Sequence, residues 1–136
     1  MKHRRQFLQA GLASLALVVL DRSEAPAASG IMAIYERELP PVCLNGWQVT
    51  VLELTLPPGS TSPKHAHPGF ILGYILEGEY RFQLEGEQEK VLSTGDLFYD
   101  APGSIHLPSG SASINEPARI LALVFAEKGK EITKLL

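Results

Sequence analysis

The chain has one cysteine, Cys43, so no disulfide can form within it, and that thiol is expected to be a small buried hydrophobe, the other reading being a reactive group near a pocket mouth. Basic residues are scarce. Twelve Lys and Arg stand against 15 Asp and Glu, a formal charge of −3 that offers no cationic field to a phosphate backbone, so nucleic acid is not expected as a partner. Also missing are a Gly-rich phosphate loop, a Gly-x-Ser-x-Gly nucleophile elbow and a Cys-x-x-Cys pair, which leaves out the motif-bearing nucleotide, serine-hydrolase and thiol-redox chemistries. The 12 Gly and 10 Pro among 136 residues are fewer than the roughly 25–30% of a disordered low-complexity chain, so a packed, turn-rich single domain is expected.

The first residues read as an export signal. Lys2, Arg4 and Arg5 precede an uncharged apolar stretch over residues 10–20, and Ala25-Pro26-Ala27 supplies a small-residue exit. Eleven apolar residues fall short of the roughly 20 that span a bilayer, so contact with a membrane is expected only through this signal. Arg4-Arg5-x-Phe7-Leu8 resembles the twin-arginine signal, with His3 and Gln9 where that pattern has Ser or Thr and Lys. The resemblance implies export of an already folded protein to the periplasm or the outside. The expected organisation is a signal peptide over residues 1–27, a lead-in or strand over 28–45, and a barrel over 46–136. Removing residues 1–27, whose net charge is +2, takes the formal charge from −3 to −5 and leaves 109 residues, enough for one core without staples.

Beyond residue 33 no long 3.6-residue apolar stripe with caps occurs, and short runs alternate between turn residues. Strands are predicted over residues 49–56, stopped by Pro57-Pro58-Gly59, over 70–76 and 79–84 around Gly78, over 89–92 after a turn at Glu85-Gly86, over 97–99 and over 120–125. Residues 127–134 read as a polar tail, an edge strand or a frayed end. Many short strands at close spacing define an all-β sandwich or barrel.

Three histidines remain after residue 27. His65 and His67 are two apart, a spacing that turns both rings to one side of a strand, and His106 follows behind Pro102-Gly103. Converging imidazoles suit a divalent transition metal, Fe, Mn, Ni, Cu or Zn, with positions left for water or substrate. An exposed His-x-His loop between Pro63 and Pro68 is the other reading of that spacing. Tyr74, Tyr80 and Tyr99 are either pocket donors or sheet packing, and packing is the commoner role. Trp47 reads as a packing residue, and Glu77, Glu79, Glu85 and Glu87 as a solvated hairpin edge that could lend a ligand only by turning inward.

The surroundings of these histidines resemble the cupin superfamily. Its first motif is Gly, five residues, His-x-His, three or four residues, Glu, six residues, Gly; Gly59, His65, His67 and Gly78 match, with Ile71 at the Glu position. Its second is Gly, five residues, Pro-x-Gly, two residues, His, three residues, Asn; Gly95, Gly103 and His106 match, with Ala101 at the Pro position and Gly110 at the Asn position. The resemblance covers residues 46–126. It implies a small jelly-roll-like β-barrel, often a homodimer, with a metal inside. With Ile71 unable to ligate, the implied donor set is His65, His67 and His106 alone, as in three-histidine thiol dioxygenases, and such a site keeps the full +2 charge of its ion. The implied function is an exported mononuclear metal enzyme of dioxygenase type acting on a small molecule. A metal-dependent isomerase or lyase, and a non-enzymatic periplasmic binding or sensing protein, are the alternatives.

Overall fold

The computed structural model describes residues 32–136. The sequence-predicted export signal lies outside the described residues. Residues 32–44 run without strand pairing, and Pro40 and Pro41 within them have no N–H for a ladder. Ten strands follow, with no helix among the described residues. They are β1 (Trp47–Leu56), β2 (His65–Ala66), β3 (Phe70–Glu77), β4 (Glu79–Phe82), β5 (Lys90–Ser93), β6 (Leu97–Asp100), β7 (Ile105–His106), β8 (Gly110–Ser111), β9 (Ala118–Glu127) and β10 (Lys134–Leu135).

The largest sheet has the order β1-β9-β3-β6 and is antiparallel throughout. β9 is its centre. The strand pairs with β1 along all ten residues, from Trp47 opposite Glu127 to Leu56 opposite Ala118. Its inner face alternates small and branched residues, Ala118, Ile120, Ala122, Val124 and Ala126, all buried, so the barrel is lined but not filled at this wall. Ile71 and Ile75 on β3 and Phe98 on β6 face the same interior and join Tyr80, Phe82 and Leu84 in the core. Full burial of a side chain such as Ile75 contributes about 1.5–3 kcal/mol.

Two shorter three-stranded sheets have the orders β5-β4-β8 and β10-β2-β7. Between β3 and β4 the chain turns at Gly78, whose φ is 75°; a Cβ there would lie 2.2 Å from the Pro117 carbonyl oxygen, so both the conformation and the space require glycine. The tail ends as an edge strand. β10 pairs with β2, Leu136 N–H donates to the Lys64 carbonyl, and Ile132 packs against the core. Ile132, Thr133 and Leu135 thereby form part of the cavity wall, a role their polar surroundings in sequence concealed.

Candidate metal centre

The short sheet β10-β2-β7 assembles the histidines. His65 lies directly opposite His106 in the ladder, and their rings stack at 4.9 Å with planes 6° apart. His67 sits one residue beyond β2, its carbonyl accepting the Gly103 N–H at 2.9 Å, and its ring stands edge-on to the other two at 5.0 and 5.2 Å. One nitrogen from each ring falls within 4.8 Å of the others. Of the two readings left by the spacing, the exposed loop is therefore set aside, since the three rings face one another and His67 and His106 are buried.

Backbone carbonyls orient two of the rings. His65 Nδ1–H donates to Pro63 O at 2.8 Å, and His67 Nδ1–H to Ile132 O at 2.8 Å, which leaves Nε2 of each for a ligand. Burial lowers the His67 pKa below 6.5, with smaller contributions from His106 and His65, against the raising effect of the Ile132 hydrogen bond. The result favours the neutral imidazole that a metal requires.

The third ring is held differently. His106 Nε2–H donates to Asp100 Oδ2 at 2.7 Å; Asp100 is fully buried, and neither His106 Nδ1 nor Asp100 Oδ1 has a partner. Orphaned buried polar atoms beside imidazoles that hydrogen bonds already orient are what a cation-binding cluster presents. The residues present fit a divalent transition metal.

The histidines stand at the edge of a cavity of about 280 Å³ walled by Leu52, Leu56, Phe98, Ala122 and Val124, with Ile71 pointing into it. Tyr80 also reaches this cavity. Its O–H donates to Ser109 Oγ at 3.2 Å, and burial pushes its pKa up to about 12, so it stays protonated. Tyr74 and Tyr99 alternate to the outer face, where the Arg37 guanidinium lies 5.1 Å above the Tyr99 ring. Trp47 packs on Phe70 at 5.9 Å. Glu77, Glu79, Glu85 and Glu87 are all exposed, and none turns inward. Cys43 is exposed and not a core thiol, because it falls in the strandless segment before β1. The residue that sequence reasoning missed is Asp100, whose one signal was a carboxyl ending an otherwise apolar strand, Leu97-Phe98-Tyr99.

Chain comparisons agree with this architecture. The family model described as "Cupin domain" matches residues 52–124, more than half of the chain, and the protein belongs to the cupin family. Among solved structures it is similar to a cupin-like protein from Thermotoga maritima, at TM-score 0.56 and 21% identity over 65% of this chain and 64% of that one. It is similar also to the DMSP lyase DddQ from Ruegeria pomeroyi, at TM-score 0.54 and 26% identity over 64% of this chain and 42% of that one. The oxalate decarboxylase of Bacillus subtilis, a protein with Mn(II) centres, aligns at TM-score 0.54 and 19% identity over 65% of this chain and 24% of that one. The chain thus spans less than two thirds of the length of each. No curated protein is similar enough in sequence to match.

Proposed function

We propose that the protein is an exported metal-dependent cupin that acts on a small molecule, with His65, His67 and His106 holding one divalent transition metal at the edge of the barrel cavity. The observation that carries the reading is the convergence of the three ring nitrogens within 4.8 Å beside an apolar cavity of about 280 Å³. A metal bound there would supply Lewis acidity and, if redox-active, the one-electron chemistry that dioxygen needs. The chain's own part is positional. Pro63 and Ile132 carbonyls fix two rings, the Leu52, Leu56 and Phe98 wall excludes water, and Tyr80 presents a phenol that does not ionise near neutral pH.

Dioxygenase chemistry is the leading form of this reading, because three neutral nitrogens match the donor set of three-histidine oxygenases. A lyase is the second, favoured by the 26% identity to a DMSP lyase over 64% of the chain. Elemental analysis of protein produced with its own leader, followed by oxygen-electrode measurements with small carboxylates and thiols, separates them. One redox-active metal per chain with substrate-dependent oxygen uptake supports the oxygenase; turnover without uptake supports the lyase; metal-free protein that still binds ligands supports the sensor. His106→Ala is expected to lose the metal, and undiminished metal content in that variant would overturn the assignment.

Export and self-association complete the proposal. The charged and apolar pattern of residues 1–27 supports export, tested by fusing residues 1–30 to a reporter active only outside the cytoplasm. Exposed Val49 and Val51 on the outer face of the edge strand β1 support a homodimer, tested by sedimentation of wild type against Val51→Lys.

A further inference from the structure

The cavity beside the histidines is walled by hydrocarbon at its mouth as well as inside. Leu52 and Leu54 of β1 lie opposite Ala122 and Ile120 of β9 in the ladder, so all four side chains fall on the inner face, where Ile71 and Phe98 join them. Leu54 is nevertheless 38% exposed, and Leu135 of β10, which also lines the cavity, is 69% exposed. Apolar side chains left in water at a cavity mouth admit an apolar molecule at no loss, whereas a charged one must shed its water there without compensation.

Free charge is missing from these walls. Among the described residues the cavity is lined by no Lys or Arg, and its one carboxyl, Asp100, already accepts from His106 Nε2–H at 2.7 Å. The hydroxyls of Ser62, Ser109 and Tyr80 bond to one another, at 3.3 Å between the two serines and 3.2 Å from Tyr80 to Ser109. Among the described residues the histidine cluster is therefore the one part of the cavity left to meet an anionic group. We infer that the substrate of this site is a small molecule with a single polar, metal-binding head and an uncharged hydrocarbon body, and not a dicarboxylate or other doubly charged compound. The inference rests on the proposed metal-binding role and deepens it by naming the substrate class.

Size limits the body. An apolar cavity of about 150 Å³ holds benzene, so the volume of about 280 Å³ here has room for roughly ten non-hydrogen atoms. Each methylene moved from water onto such walls tightens binding about fourfold, and four of them fully buried give roughly 250-fold. A second charge cancels that gain, since a carboxylate at the far end would leave water for walls that offer it no partner.

The test is the visible spectrum of the full-length protein loaded with Co(II) and titrated with acetohydroxamate, hexanohydroxamate and adipic acid monohydroxamate. All three carry the same metal-binding head; the second adds four methylenes to the first, and the third replaces the terminal methyl of the second by a carboxylate. Hexanohydroxamate is expected to bind about 30-fold or more tightly than acetohydroxamate, and the adipic compound to lose about tenfold or more of that gain. Equal affinity for the short and long chains, or an adipic compound as tight as hexanohydroxamate, would overturn the inference and leave the metal site standing. A protein that takes up no Co(II), or whose spectrum responds to none of the three, would overturn both. Leu54→Lys places a cation at a wall position exposed enough to carry one, and it is expected to narrow the preference for hexanohydroxamate over the adipic compound about fivefold or more. An unchanged preference in that variant would overturn the placement of the body against β1.

Discussion

Replacing Ile71 by glutamate, with Asp100 kept, puts a carboxyl at the position where other cupins carry one. The side chain is 4% exposed and faces the cavity, so the substitution gives up about 1.5–3 kcal/mol of apolar burial. It also buries a second carboxyl opposite Asp100, at a further cost of about 1–3 kcal/mol for an unsatisfied group. Metal-free Ile71→Glu is therefore expected to be about 2.5–6 kcal/mol less stable than wild type, a loss that a domain in the middle or upper part of the usual range of about 5–15 kcal/mol survives. Adding a divalent ion reverses part of this, because a ligand at 100 times its Kd stabilises the folded state by about 2.7 kcal/mol and each tenfold gain in affinity adds about 1.4 kcal/mol at fixed concentration. Urea denaturation followed through Trp47, the only tryptophan, in EDTA and in Mn(II) measures both quantities. The metal-induced shift in midpoint should be larger in the variant than in wild type. A variant whose midpoint is the same in EDTA and Mn(II) would refute the placement of position 71 beside the ion.

Gly110 stands where the second motif has asparagine, and a Cβ there would fall 1.9 Å from the Ser60 carbonyl oxygen. Gly110→Ala must push two backbones apart and is expected to cost about 1–3 kcal/mol or more in urea denaturation, and a loss under 0.5 kcal/mol would show that the contact yields freely. Tyr80 predicts a stability change in alkali. Its pKa is near 10 in the unfolded chain and about 12 in the fold, so above pH 10 the unfolded state releases a proton that the folded state keeps, and stability falls as pH rises from 10 to 12. Two pH units at 1.36 kcal/mol each give a loss of about 2.7 kcal/mol, and Tyr80→Phe should remove that part of the slope; an identical slope in the variant would contradict it.

The fold was legible where a local chemical constraint marks the chain. Pro57-Pro58-Gly59 ends β1, and the glycines of the two motifs, Gly59, Gly78, Gly95 and Gly103, all adopt positive φ, so their spacing records the turns of the barrel. His65, His67 and His106 were legible for the same reason, as a rare residue type at fixed distances from those turns. The two-residue strands β2, β7, β8 and β10 were not, because strands that short carry no period; they exist through partners distant in sequence, as His65 does opposite His106. Ile132 illustrates the same limit. Nothing in Glu131-Ile132-Thr133-Lys134 distinguishes a frayed end from a strand-edge cover, and only pairing of β10 with β2 brings Ile132 to the core. Cys43 failed in the opposite direction, since burial was inferred from residue type and the thiol lies in a segment with no strand partner.

Asp100 exposes a more general limit of reading along the chain. A motif assigns each ligand a place in sequence, whereas an ion responds only to where donor atoms meet, and an antiparallel ladder makes positions 71 and 100 adjacent although 29 residues separate them. Apolar at 71 reads by itself as a site in decay, and acidic at 100 reads by itself as an unsatisfied defect in a buried strand. Taken as a cross-strand pair they place one hydrophobe and one carboxyl on the wall of the same cavity. Asp100 Oδ2 accepts from His106 Nε2–H and so orients that ring, while Asp100 Oδ1 and His106 Nδ1 both stay without partners. The buried aspartate is matched instead to the buried ring of His106, and removing either partner of that hydrogen bond would leave the other without its polar contact.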